Sequence, residues 1–447
     1  MKTPPVVVSN AIGILVAAGL AGQALAPVQS PDAAASAKSG VVSDSSANRV
    51  PVRTAMTSDE AVAKAEAATK EKPGDVTWTR LGDAFMQKGR ETADVTYYSR
   101  AEAAYRKALA ANPRSIGALV GMAWVNGGRH EFERSVEWAK KALALDPDRP
   151  DAYGLLGDAA VEMGDYDGAF AQYQKMLDLR PDISSYSRGA HLLFLAGDIR
   201  KATLLMTKAI GTGGPYAENT AWCRAQWALM QFSVGAYVPA AQILAEGLAA
   251  TPNNYQLLAA MGRVKAALKD YDAAIDYYKK AEAIVPQHEV VVALGEIYSL
   301  QGKKKEAAEQ YALVDVIHKL NQANGVIGDM QMAQFFADHD RNLDEAVRMA
   351  EAEYAVRPNV YVADTLAWCY YKTGKIAEAG KMIAKAMSQG TPEAMFRYHQ
   401  GAILEKAGQI PQAKTALYQA LSISPNFHPL AAMAAEQMIY QLGSVSE

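Results

Sequence analysis

Eight prolines punctuate the chain: Pro73, Pro113, Pro147, Pro181, Pro252, Pro286, Pro358 and Pro425. The intervals from Pro113 to Pro147, Pro147 to Pro181 and Pro252 to Pro286 are each 34 residues. A period of this length, with small residues at constant offsets, indicates stacked helical hairpins, because one hairpin alone cannot bury its apolar face. The period outranks the length of 447 residues, which would otherwise suggest about three domains. A solenoid is one continuous stack, so the expected fold is all-α.

Ten units are legible between Asp75 and Pro425. In each, a first helix (A) carries a Leu-Gly-like pair, a glycine often closes the turn, and a second helix (B) carries Ala, a bulky residue, then Ala. The third unit reads Leu156-Gly157, Gly164, Ala169, Tyr173, Met176, Pro181. The sixth reads Met261-Gly262, Ala274, Tyr278, Ala281, Pro286, and the tenth Gln400-Gly401, Gly408, Ala413, Leu417, Ala420, Pro425. The small residue of helix A (Gly82, Gly157, Gly262, Gly295, Gly401) lets helix B lie close. The turn glycine accepts a left-handed backbone, and the proline stops one hairpin and starts the next. Phe427–Leu442 adds an amphipathic helix able to cap the open end.

This pattern resembles the tetratricopeptide repeat (TPR) family over nearly everything after residue 75. GDAFMQKGRETADVTYYSRAEAAYRKAL from Gly82 is similar to the opening unit of exported bacterial TPR proteins. So are YVADTLAWCYYKTGKIAEA from Tyr361 and YHQGAILEKAGQIPQAKTAL from Tyr398. The resemblance implies a right-handed superhelical solenoid of about ten hairpins with a concave face lined by A helices. It implies binding rather than catalysis.

Ahead of the array, Met1–Ala26 reads as a secretory leader: Lys2, an apolar stretch around Ile12–Leu20, then Ala24-Leu25-Ala26. Pro27 disfavours cleavage after Ala26, so the cut falls earlier, after Ala24. An uncleaved anchor is the rival reading. Against it, the apolar part falls short of about 20 residues and Ser9, Asn10 and Gln23 interrupt the wider stretch. No cysteine follows, which excludes a lipoprotein. Residues 27–57, rich in Ala, Ser and Pro, form a flexible linker. Thr57-Ser58-Asp59-Glu60 starts an N-terminal helix in segment 58–74. The array occupies 75–427, and 428–447 supplies the capping helix and tail. The expected location is periplasmic or secreted, with membrane contact only through an unprocessed N-terminus.

Three departures interrupt the register. The stretch from Gly89 to Ala101 is seven residues longer than the standard turn and carries Tyr97 and Tyr98. Gly211–Asn219 lengthens the link between units four and five, and Asp315–Gly328 extends helix B of unit seven. Bends near 211–219 and 315–328 are expected to divide the array into blocks and to close or hinge a groove.

Forty-five basic against 48 acidic residues give a net charge of −3, so no nucleic-acid partner is expected. Lys303-Lys304-Lys305 reads as a solvated turn. Cys223 and Cys369 lie about four repeats apart. A disulfide needs Cα atoms within about 7 Å, whereas stacked helices advance about 9 Å each, so two free buried thiols are expected. Asp338-His339-Asp340 reads as a capped turn rather than a metal site, since consecutive residues diverge. Gly211–Gly214 lacks the strand a phosphate loop needs. No cofactor is expected. His191 and His399 are too far apart to form a dyad, and Asp364 is expected to bond a Thr or Tyr hydroxyl or to face the groove. With no nucleophile–base pair in register, an enzyme is not expected.

The candidate partner-binding residues on the A-helix face are Trp124, Asp158, His191, Phe194, Trp222, Phe232, Arg263, Glu296, Trp368, Tyr371 and Tyr398. Their aromatics are the residue types that dominate interface hot spots, with Asp158, Arg263 and Glu296 setting polarity. The Lys/Asn clamp of chaperone-binding TPR domains is missing, since its positions hold Val120, Trp124, Gly154 and Asp158. The expected role is a scaffold binding protein or peptide partners in the bacterial envelope. The alternatives are a strut in a secretion, pilus or polysaccharide-export assembly, or an enzyme or small-ligand receptor with a closed groove.

Overall fold

The computed structural model describes residues 56–323 and 329–444, which form 22 α-helices and no strand. The leader and all but the last two residues of the linker lie outside the described residues. Helix α1 (Ser58–Glu71) precedes ten hairpins. The first five are α2 (Asp75–Thr92) with α3 (Thr96–Ala111), α4 (Ile116–Gly128) with α5 (Phe132–Leu145), α6 (Pro150–Glu162) with α7 (Tyr166–Leu179), α8 (Ile183–Leu195) with α9 (Ile199–Thr212), and α10 (Ala217–Ser233) with α11 (Tyr237–Ala250). Then come α12 (Tyr255–Ala267) with α13 (Tyr271–Ile284), α14 (His288–Leu300) with α15 (Lys304–Ala323), α16 (Met330–Asp338) with α17 (Leu343–Val356), α18 (Val360–Lys372) with α19 (Ile376–Ala386), and α20 (Ala394–Lys406) with α21 (Ile410–Ile423). Helix α22 (Pro429–Ser444) ends the stack as a cap.

Local chemistry explains these boundaries. Thr57 and Glu60 form a reciprocal capping box at α1, which satisfies two otherwise orphaned N–H groups. Asp165, Asp198 and Asp270 cap B helices by accepting from the N–H three residues on. All ten A–B turns contain a residue with positive φ: Ala93, His130, Gly164, Gly197, Gly235, Lys269, Gly302, Asp340, Gly374 and Gly408. The conserved geometry therefore persists even where the glycine does not. A Cβ on Gly82, Gly157, Gly262 or Gly295 would overlap the tyrosine ring of its own B helix, and one on Gly401 would overlap Leu417.

The hairpins build two layers. Helix A is buried on nearly every side: α4 buries every residue from Ala118 to Asn126. Helix B buries one stripe, as in α7 with Ala169, Tyr173 and Met176. A helices thus form the inner wall and B helices the outer wall.

The superhelix closes on itself. Glu162 accepts from Arg357 Nε and from Asn359 Nδ2, both at 2.8 Å, across 195 and 197 residues. Tyr166 Oη accepts from Val360 N–H, Thr391 donates to the Leu195 carbonyl, and Tyr237 bonds Ser424 and Asn426. These seam bonds join residues 187 to 197 apart. The left-handed turn of one hairpin therefore packs against the link between the hairpins five and six further on. The backbones touch there: a Cβ on Gly164 would sit 2.7 Å from the Pro358 carbonyl, and one on Gly197 2.8 Å from the Gly390 carbonyl. Residues of units three to five and of units nine and ten share one hydrophobic cluster, including Val161, Phe194 and Trp222 with Val360, Ile383 and Phe396.

The insertion of unit one is absorbed as helix: α2 runs for 18 residues against 13 in α4. Apolar packing is continuous across the link at 211–219, where Met206 and Ala209 share a cluster with Trp222 and Cys223. Glu218, at its end, accepts from Gln87 Nε2 at 3.1 Å and from Arg90 at 2.9 Å. In the third departure α15 continues to Ala323, and 324–328 lie outside the described residues. Cys223 and Cys369 are free and buried. Among the described residues, no helix is long and apolar enough to cross a membrane.

Candidate functional site: the inner wall

Six of the candidate residues follow the small position of their helix A. Trp124, Asp158, His191, Arg263, Glu296 and Trp368 follow Ala123, Gly157, Ala190, Gly262, Gly295 and Ala367. The structure corrects what these side chains do. Trp124, Asp158, His191, Phe194, Trp222, Phe232, Glu296, Trp368 and Tyr398 are all buried by the chain itself. Arg263 is exposed and Tyr371 half-buried. The neighbouring A helix covers the buried ones: Arg188 of α8 closes over Asp158 of α6, and His399 of α20 stacks on Trp368 of α18.

Internal partners replace the expected client. Asp158 receives a bidentate pair from Arg188, Nε and Nη2 each at 2.8 Å, and the Tyr173 hydroxyl at 2.8 Å. Burial raises its carboxyl pKa, and Arg188 offsets only part of the shift. His191 is pushed down to about 4 by burial alone, which keeps the ring neutral. Glu296 lies 3.1 Å from His428 Nε2 and 3.7 Å from His339 Nε2. Burial alone would raise Glu296, but the two histidines outweigh it and hold the carboxyl at about 2. Trp368 donates Nε1–H to Asp338 at 2.7 Å and lies in near-parallel stacks with His399 at 4.2 Å and Tyr371 at 4.8 Å.

Two of these pairings were not anticipated from sequence. Asp364 bonds His399 Nδ1 at 2.9 Å, rather than a hydroxyl, and His399 Nε2 has no hydrogen-bond partner. The two residues are 35 apart, one repeat along the stack, and that spacing was the available signal. Asp338 and Trp368, 30 apart, are neighbours for the same reason. The seam pairs had no such signal. A cavity of about 30 Å³ lined by Trp124, His130, Ser135, Asp158 and Glu162 has room for about one water. Among the described residues, no group of three or more His, Cys, Asp or Glu is placed to hold a metal.

Family models described as tetratricopeptide repeat match residues 120–182 and 255–288. Among solved structures, a tetratricopeptide repeat protein from Parabacteroides merdae is 18% identical, covering 51% of this chain and 86% of its own, with a TM-score of 0.38. The human IFIT1 dimer with PPP-AAAA is 15% identical, covering 81% and 86%, with a TM-score of 0.44. Yeast Tom70 is 13% identical, covering 87% and 93%, with a TM-score of 0.37. Stacked hairpins of this type are scaffolds that bind proteins or peptides, and this one is built on the same plan. With two segments matched by repeat models and ten hairpins sharing one register of small, turn and packing residues, the chain belongs to the tetratricopeptide repeat family.

Proposed function

We propose that the protein is a protein- or peptide-binding scaffold of the bacterial cell envelope that engages its partner on the surfaces its closed superhelix leaves open. Closure of the seam from Glu162 to Arg357 carries this reading, because it seals most of the inner wall. What remains open includes the outer B-helix wall, where Phe170, Leu204 and Val238 are exposed, the exposed Arg263 and the half-buried Tyr371. The leader-like Met1–Ala26 and the resemblance to exported proteins support the envelope setting.

The test is capture of partners from envelope extract by three proteins of equal helicity: wild type, Phe170→Asp/Leu204→Asp, and Arg263→Gln/Tyr371→Ala. A partner retained by wild type and lost by one variant locates the docking surface. A partner lost only when Trp124 or Trp368 is changed to Phe, with the fold intact, overturns the reading, because the superhelix must then open to bind. Fractionation that leaves the protein in the cytoplasm overturns the envelope assignment.

A further inference from the structure

Helix α22 does more than cover the last hairpin. It packs against α20 and α21 of unit ten and also against α14, helix A of unit seven. The A helices α14 and α20 lie three units apart in the stack, and α22 bridges them.

Two side chains just ahead of the helix make the bridge. His428 Nε2 lies 3.1 Å from Glu296 Oε2 on α14, and its Nδ1 accepts from the Leu430 and Ala431 N–H groups at 3.3 Å. Phe427 is buried, with its ring centre 6.2 Å from that of Tyr398 on α20. Phe427, Ala432, Ala435 and Leu442 share one apolar cluster with Val291 of α14, Tyr398 of α20 and Leu417 of α21. The C-terminal segment of the chain therefore occupies A-helix surface of units seven and ten.

The hold is light. Within α22 the buried side chains are Ala432, Ala435 and Leu442, and an alanine contributes little apolar area; Met433, Glu436 and Tyr440 are exposed. Glu296 is buried, and among the described residues its cationic neighbours are both imidazoles, His428 and, at 3.7 Å, His339. An imidazole is only partly charged near neutral pH, whereas arginine and lysine are fully charged. A buried carboxylate gains from the fuller partner. Upstream the segment is fixed: Asn426 N–H donates to Tyr237 Oη at 2.8 Å, and Ser424 Oγ lies 2.7 Å from the same oxygen. Release from Phe427 onward leaves that part of the seam closed.

We propose that Phe427, His428 and α22 form an intramolecular plug, displaced by a partner segment in which an aromatic residue and then Arg or Lys lead into an amphipathic helix. The aromatic takes the Phe427 seat beside Tyr398, and the cation takes Glu296. The tethered copy competes at an effective concentration on the order of 1 mM, so the winning segment is one that outbids His428 at Glu296. This surface is additional to the open ones of the scaffold reading and does not rest on them.

The probes are fluorescein-labelled synthetic peptides spanning residues 427–444, one native and one with His428→Arg, read by fluorescence anisotropy on the full chain. Two full-chain variants unseat the plug: His428→Glu, which sets a carboxylate against Glu296, and Phe427→Ala, which leaves the charges alone. Each is expected to bind the Arg peptide about tenfold or more tighter than wild type does, because the tethered competitor is weakened. Adding Glu296→Gln is expected to remove about tenfold of that affinity. Hydrogen exchange of the α22 amides is expected to quicken in both variants. The proposal is overturned by α22 amides equally protected in wild type and both variants, or by no peptide binding to either variant. Peptide affinity unchanged by Glu296→Gln overturns it too, since the peptide then adheres through apolar surface alone. Purified chain and synthetic peptide suffice, so failure here leaves partner capture from the envelope as a separate test.

Discussion

Arg357 Nε and Glu162 Oε2 lie 2.8 Å apart across 195 residues of sequence, both almost fully buried. Arg357 also pairs with Glu353 through Nη1 at 2.8 Å. The bond joins consecutive turns of the superhelix, so it separates a closed cylinder from an extended spring.

Removing one partner of a buried pair leaves the other charge stranded, which costs about 3–5 kcal/mol. Arg357→Ala is therefore expected to lower unfolding free energy by that order in urea denaturation. Arg357→Met with Glu162→Leu and Glu353→Leu is expected to recover most of the loss, because the desolvation cost of the charges of all three side chains disappears. A triple variant as unstable as the single one would show that the seam depends on the charges themselves.

Gly164 and Gly374 separate backbone strain from seam contact. Both have positive φ, 73° and 77°, but a Cβ on Gly164 meets the Pro358 carbonyl whereas one on Gly374 meets nothing within 4 Å. Gly374→Ala is expected to cost about 1–2 kcal/mol, the left-handed penalty. Gly164→Ala is expected to cost about 1–3 kcal/mol more through overpacking. Equal midpoints for the two variants would remove the seam contact from the account.

Trp368 acts as core rather than as an open hot spot. Trp368→Ala is expected to cost about 3–5 kcal/mol of stability, read by denaturant unfolding, and to free the Asp338 carboxylate it now bonds. A stability change within about 0.5 kcal/mol, the range of an ordinary surface substitution, would contradict its burial.

Glu296 and His428 give a pH dependence of known sign. The Glu296 carboxyl lies at about 2, below its ordinary 4.5, so its contribution is full above pH 4.5 and lost as pH falls toward 2. For His428 burial alone would lower the pKa, but the charge and hydrogen bond of Glu296 raise it above 6.5. That contribution is full below pH 6.5 and lost as pH rises through the folded value. Protonation forfeits the cap bonds His428 Nδ1 accepts from Leu430 and Ala431 at 3.3 Å, a smaller effect than a buried ion pair. The difference in melting temperature between wild type and Glu296→Gln is expected to peak between about pH 4.5 and 6.5. A difference independent of pH would show that the pair is not ionised in the fold.

Much of the local architecture was legible beforehand. Gly157 beneath Tyr173, Gly164 in its left-handed turn and Pro181 past the end of α7 each follow from steric rules that act within one hairpin. The candidate site was legible only as a list of inward-facing positions. Trp124 and Trp368 are buried, and an aromatic on helix A reads identically in sequence whether it greets a ligand or a neighbouring helix. Asp364 and His399 were within reach of the repeat spacing, since one period separates them.

By itself, the sequence determined the all-helical hairpin, its repetition and which small residue of each helix A lies against helix B, because these depend on contacts within a unit and with its nearest neighbours. Tertiary structure alone decided that Glu162 meets Arg357 and that Gly197 meets Gly390. Superhelical pitch is the sum of small rotations at every interface. A few degrees at each step decide whether the second turn clears the first or packs against it, and no single repeat encodes that sum.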